Sequence, residues 1–142
     1  MKKVINTKNA PKAIGPYSQA IHSGNTLYCS GQIAINPDTG NLVTENITAE
    51  TNQVMKNISA VLKAADMTFD NVVKCSIFMI DMSDYSAVNQ EYAKFFSDNP
   101  PAREAVQVSV LPKNVNVEIQ LIVCFIFYSI RDQRKILFLY QN

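Results

Sequence analysis

The sequence has no tryptophan, one histidine (His22), four glycines and three cysteines in 142 residues, and thirteen basic residues stand against twelve acidic ones, a formal charge of +1. Each shortage excludes something. Near-neutrality removes any general electrostatic attraction to nucleic acid or to an anionic membrane. A lone histidine argues against a zinc site of ordinary ligand spacing. Cys29, Cys75 and Cys124 are odd in number, widely spaced and set among apolar residues. They read as buried free thiols of a reducing compartment, not as disulfides or metal ligands. The longest apolar run, residues 121–128, falls far short of the ~20 residues of a membrane-spanning helix. The two N-terminal lysines have no apolar run behind them, so no secretory signal is expected. The expectation is a soluble, cytoplasmic protein without membrane or nucleic-acid partners.

What is present is an ordinary globular composition, 47% hydrophobic and 18% charged, in a chain long enough for one domain with a real core. Residues 3–6 read as a short strand, and Ala10-Pro11-Lys12-Ala13-Ile14-Gly15-Pro16 as a loop punctuated by proline and glycine. Residues 17–22 resume an extended pattern, and Ser23-Gly24-Asn25 is a tight hairpin turn. Thr26-Leu27-Tyr28-Cys29-Ser30 is the partner strand, ended by Gly31, whose missing Cβ admits a bulge or a closely approaching ligand. Pro37-Asp38-Thr39-Gly40 is a further turn. From Thr48 the period changes: Val54, Ile58, Val61, Leu62 and Ala65 recur at helical spacing, with Thr48, Glu50 and Thr51 as the cap region. Residues 72–80 form a central strand. Ser83 then caps a second helix whose apolar stripe is Tyr85, Val88, Tyr92, Phe95 and Phe96.

The stretch from Pro100 to Lys113, with Val117-Glu118-Ile119 behind it, organises the rest. Val106, Val108 and Val110 alternate with polar residues, the period of a half-buried strand. Leu111-Pro112-Lys113-Asn114 supplies turn chemistry, and Val117, Ile119 and Leu121 alternate again. Read as a hairpin, this places Arg103, Gln107, Glu118 and Gln120 on the side away from the valines. The element order β-β-β-α-β-α-β-β implies an α+β fold with one mixed sheet and both helices on one face. The other face, bearing those polar residues, asks for cover, and a second copy of the same sheet is the simplest. Pairing Val110 with Val117 sets Arg103 opposite Cys124, roughly 20 Å along the strand from Glu118. The two should then meet across a subunit boundary, or after a bulge. The domain so read covers residues 1–124; residues 125–142 are an atypical apolar tail to which no role is assigned.

Taken together, Gly15-Pro16-Tyr17-Ser18-Gln19-Ala20, Ser30-Gly31-Gln32, Asn36-Pro37-Asp38-Thr39-Gly40, Val88-Asn89 with Tyr92, Pro101-Ala102-Arg103, and Leu111-Pro112-Lys113 with Val117-Glu118-Ile119 resemble the Rid/YjgF family of reactive intermediate deaminases. The likeness runs in order from about Asn6 to Val123. It implies a chorismate-mutase-like fold and a homotrimer whose sheets form an inner β-barrel with clefts between subunits. It also implies hydrolysis of 2-imino acids and their enamine tautomers, such as 2-iminopropanoate and 2-iminobutanoate, to 2-keto acids and ammonia. These imines come from pyridoxal-phosphate-dependent dehydratases. The implied catalytic residues are Arg103, Glu118 and Tyr17, with Ser30, Gly31, Gln32, Asn89 and Ala105 binding substrate. Arg103 is the only arginine before residue 131 and offers a small carboxylate a planar, bidentate donor. Glu118 would orient or deprotonate the attacking water. An imine is already electrophilic, so the chemistry asks for neither metal nor cofactor. Two departures stand out. Glu104-Ala105 replaces the small residue and cysteine common after the arginine, and Gln120 occupies a position where an acidic residue is frequent.

Plainer roles exist for each residue. Arg103 could pair with an acidic residue at an interface, Glu118 could be a solvated face residue, Tyr17 a packing aromatic, Ser30 a strand-end hydroxyl and Asn89 a loop support. His22 reads as a surface residue without a role. At the level of function, the competitor to an imine deaminase is a non-catalytic trimer that binds 2-keto acids through the same clefts. A nucleic-acid role is disfavoured by the neutral charge and the absence of a basic, aromatic-interleaved patch.

Overall fold

The computed structural model describes residues 2–96 and 98–125; the apolar tail beyond Phe125 lies outside them. Eight elements follow the predicted order: β1 (Lys2–Ile5), β2 (Ala20–Ser23), β3 (Thr26–Gln32), α1 (Ile47–Ala64), β4 (Val72–Met79), α2 (Tyr85–Ala93), β5 (Ala102–Gln107) and β6 (Val117–Cys124). The strands make one six-stranded sheet in the order β1-β2-β3-β6-β4-β5. All neighbours are antiparallel except β4 and β5, which run parallel. The fold is therefore the mixed α+β sheet with two helices that the element order implied.

The core lies between one face of the sheet and the helices. From the sheet it takes Leu27, Cys75, Ile77, Met79, Val117, Ile119, Leu121 and Val123, and from α1 Val54, Met55, Ile58, Val61 and Leu62. Each such side chain, fully withdrawn from water, contributes about 1.5–3 kcal/mol. The cap of α1 is Asn46, whose Oδ1 accepts from Ala49 N at 2.9 Å, in place of the predicted Thr48 region. The aromatic end of α2 is locked by Phe69, which packs on Phe95 and Phe96 with ring centroids 5.4 and 5.3 Å away. Ser83 caps nothing here. Asp81 precedes a short 3₁₀ turn and accepts from Ser83 N at 2.8 Å, and those bonds hold its carboxyl below the usual range.

The predicted hairpin between β5 and β6 does not form. β5 pairs with β4, placing Arg103 beside Cys75, while β6 inserts between β3 and β4. The physical reason is burial. Four of β6's eight residues are shut from water, so it takes a central place with a neighbour on each side. β5 has no fully buried residue and serves as an edge. The valine face is also reversed. Val106 and Val110 are 42% and 66% exposed, and it is Arg103, Ala105 and Gln107 that share the helix side with Cys75, Ile77 and Met79. Period-2 alternation groups side chains by face but does not say which face is covered. His22, read as a surface residue, is half-buried beside Phe125, with its Nε2 shut from solvent and unpartnered among the described residues.

The far face of the sheet carries Glu118 beside Phe78, Gln120 beside Ser76 and Ile122 beside both Tyr28 and Lys74. Tyr28 is 52% exposed there. Glu104 also points to this face, bonded to Lys74 and Ser76, and so turns away from Arg103.

Candidate functional site

The predicted site residues fall into two clefts of one chain. The larger, about 580 Å³, is lined by Tyr17, Ser30, Gly31, Gln32 and Glu118 together with Pro11, Ile14, Ile33, Ile35, Pro112 and Lys113. The smaller, about 400 Å³, is lined by Arg103 and Asn89 with Tyr92, Phe96, Pro100 and Pro101. Ala105 packs against the core and lines neither.

In the first cleft β3 does not end at Gly31. It continues to Gln32 through a bulge, because its register with β6 shifts between Cys29 and Gln32, the local kink that an extra residue produces. The kink brings the backbone of Gly31 against the Glu118 side chain. A Cβ at Gly31 would overlap that carboxylate and lie 2.7 Å from its Cδ. With Glu118 in this position only glycine fits, and the constraint is space alone, since φ lies outside the left-handed region. Enclosure by this contact and by the cleft walls raises the Glu118 carboxyl above its ordinary value, with burial as the cause. The Ser30 hydroxyl donates to Ser18 O at 2.6 Å, so its lone pairs are what it can offer a ligand. Tyr17 is half-exposed, and its hydroxyl accepts from Ile14 N at 3.2 Å, fixing the loop over the cleft mouth.

Two buried polar residues hold this cleft in shape, and the sequence assigned neither of them to the site. Gln19 accepts from Thr7 N at 2.7 Å and donates to the carbonyls of Thr7, Ala10 and Pro11, which pins the loop carrying the cleft's Pro11 wall. Glu50, on α1 and wholly buried, accepts from Asn116 N at 2.6 Å, Asn116 Nδ2 at 2.8 Å and Val117 N at 3.3 Å. That anchors the start of β6, one residue before Glu118. The turn before it holds Lys113 and Asn114 at φ 57° and 56°. Gln19 sits inside the Tyr17-Ser18-Gln19-Ala20 motif, so a signal existed. Glu50 looked like a first-turn helix acid, and nothing local marks it as buried.

In the second cleft Arg103 donates from Nη1 to Asn89 Oδ1 and from Nη2 to the Tyr85 hydroxyl, both at 2.7 Å. Its guanidinium carbon stands 5.1 Å from the centre of the Tyr92 ring, within cation–π range. Among the described residues the ion pairs are Lys74–Glu104 and Lys94–Glu91, so Arg103 keeps its positive charge unpaired. The nearby Cys75 thiol is pushed up to about 11, chiefly by burial, and burial also raises the Tyr92 hydroxyl. Both stay neutral and leave the cation uncompensated. Cys29 is a core thiol as well, pushed up to about 12 by burial first and by Cys75 second. Among the described residues no three His, Cys, Asp or Glu side chains gather where a metal ion could be held, and no helix is long and apolar enough to cross a membrane.

Within one chain the two clefts do not converge. Arg103 lies beside Cys75 on the helix face, and Glu118 lies beside Phe78 on the far face. The half holding the carboxylate and the half holding the cation are separated by the sheet.

A single mixed sheet with two helices, a half-buried carboxylate in one cleft and an unpaired arginine in another define the class: a small α+β protein that holds an acidic and a basic group in separate clefts. Comparison with known proteins narrows this. Residues 7–125 match the family model described as Endoribonuclease L-PSP. The chain is 50% identical over 122 residues to a RutC family protein of Pyrococcus horikoshii, covering 86% of this chain and 97% of that one. It is 45% identical to the mouse 2-iminobutanoate/2-iminopropanoate deaminase, over 86% of this chain and 90% of that protein. Among solved structures, the Rid family protein YyfA of Yersinia pestis superposes with a TM-score of 0.86 at 53% identity, over 88% of this chain and 100% of that one. The chain belongs to the L-PSP/YjgF/Rid family. Its sheet and helices are that family's chorismate-mutase-like fold.

Proposed function

We propose that the protein hydrolyses 2-imino acids and their enamine tautomers to 2-keto acids and ammonia, at sites that combine the Glu118 cleft of one subunit with the Arg103 cleft of another in a homotrimer. The observation that carries this reading is the Glu118 carboxyl, pressed against Gly31 in the cleft and raised by burial, a shift in the direction that suits a general base. The uncompensated Arg103 and the name of the mouse relative support the substrate class. The separation of the two clefts by the sheet supports the sharing of sites. So does the far face, where Tyr28 and Val106 stand partly exposed and another copy would cover them.

The steps follow from the residues. Arg103 takes the substrate carboxylate on its remaining N–H donors. Glu118 removes a proton from water as the water oxygen bonds to the imine carbon, giving a tetrahedral carbinolamine. Glu118 hands that proton to the nitrogen and then takes the hydroxyl proton as the C–N bond breaks and the carbonyl forms; keto acid leaves with ammonia, which carries the last proton off as ammonium and restores the Glu118 carboxylate. Tyr17 and Ser30 border the reacting centre, and Gln32 and Asn89 support its walls. The imines would be supplied by pyridoxal-phosphate-dependent dehydratases.

The test couples a serine/threonine dehydratase to the protein and follows keto-acid release with wild type and Arg103→Ala. Acceleration by wild type that is lost in the variant is expected. No acceleration by a folded protein that still binds 2-oxobutanoate would replace this reading with that of a metabolite-binding module.

A further inference from the structure

Tyr85, Asn89 and Tyr92 stand at i, i+4 and i+7 of α2, which places them on one helix face, and all three meet the Arg103 guanidinium. Asn89 and the Tyr85 hydroxyl each accept one Arg103 N–H at 2.7 Å. The Tyr85 and Tyr92 rings lie 5.6 and 5.1 Å from the guanidinium carbon. All three partners are uncharged, so they fix the direction of the fork without using its charge. Three of its five N–H donors, the Nε–H and one on each terminal nitrogen, stay free for a ligand. Tyr85 is the unexpected member. Its place in the apolar stripe predicted a core residue, yet it is 37% exposed and its hydroxyl is spent on Arg103.

We propose that Tyr85 is a positioning residue, whose hydroxyl and ring hold Arg103 pre-ordered for capture of a 2-imino or 2-keto carboxylate. The identity of the ligand rests on the function proposed above; the clamp is a property of the ligand-free chain. If Tyr85 only covered the start of α2, phenylalanine would serve equally well, because it keeps the ring and the packing.

Tyr85→Phe therefore deletes the hydroxyl's part of the clamp and leaves the ring in place. Nitrogen-15 NMR of the Arg103 guanidinium, without ligand, should show restricted rotation at Nη2 in wild type and faster averaging in the variant. Equal rotation in the two would overturn the proposal. Affinity for 2-oxobutanoate, measured by calorimetry, should fall about 3- to 10-fold, the equivalent of having to order one rotamer-rich side chain on binding. The melting temperature should be unchanged, and Tyr85→Phe should cause no further loss in an Arg103→Ala background. A change under about twofold, or the same loss with and without Arg103, would overturn it. So would a wild-type protein that binds no 2-oxobutanoate. In the coupled assay KM should rise while kcat holds. Wild type that binds 2-oxobutanoate with Tyr85 coupled to Arg103 but turns nothing over would sink the deaminase reading and leave the positioning role standing.

Discussion

At the scale of single residues the protein works by contact between unlike groups, and Gly31 with Glu118 is the clearest case. The bulge brings backbone and carboxylate so close that a methyl group has no room. Gly31→Ala should leave stability nearly intact, because the clashing atoms belong to a flexible side chain that can swing aside and the backbone φ suits alanine. Activity should fall on the order of 10²-fold, the scale of a catalytic group displaced by about 1 Å. The pH profile reports the same displacement. Burial raises the Glu118 carboxyl, so as pH falls it takes up its proton early and, in the proposed mechanism, can no longer accept one from water. Wild-type kcat/KM should drop with acid through a pKa above the ordinary glutamate value. In Gly31→Ala, with the carboxyl driven toward solvent, that limb should move to lower pH. An unmoved limb in pH–rate measurements would show that Gly31 does not set the environment of Glu118.

At the scale of elements, the strand that carries Glu118 is positioned by a helix. Glu50 reaches from α1 to three donors at the start of β6, and its burial makes those bonds matter more than surface ones would. Glu50→Ala leaves the buried Val117 N–H unpaired and removes the two bonds to Asn116, an exposed residue whose donors can turn to water. At roughly 1–3 kcal/mol for the unsatisfied buried group and about 0.5–1.5 kcal/mol for each bond exchanged for water, urea unfolding should show a loss of about 3 kcal/mol. Asn116→Ala, which removes one side-chain donor and keeps both backbone bonds, should cost about 1 kcal/mol. Equal losses in the two would mean that the carboxylate is not the anchor. The same logic places Arg103. Because β5 is an edge strand paired only with β4, its helix-side residues meet α2 and not the middle of the core, and a charged side chain can live there.

At the scale of the whole molecule, Arg103 and Glu118 occupy opposite faces of one sheet, so one chain cannot wrap both around a small ligand. If sites are shared around a cyclic trimer, Arg103→Ala and Glu118→Gln should each be inactive alone. Unfolded, mixed in equal amounts and refolded together, they should recover about one quarter of wild-type activity, since every mixed trimer restores one intact site of three and about three-quarters of trimers are mixed. No recovery in well-formed mixed trimers would place both residues in the same subunit's site, or one of them in none.

The sequence by itself determined the element order, the two-helix one-sheet class and the family, because periodicity, turn residues and the motifs around Tyr17, Gly31, Arg103 and Glu118 are local properties. Strand order was decided by the tertiary structure. The burial demand of Val117, Ile119, Leu121 and Val123 drew β6 to the centre and broke the hairpin that adjacency in sequence implied. The covered face was decided there too, since alternation cannot say where helices will pack; Val106 and Val110 went to water and Arg103 went to α2. So were the roles of Gln19, Glu50 and Tyr85. Each acts through a partner distant in the chain, and a hydrogen bond across 66 residues, such as Glu50 to Asn116, has no local signature to read.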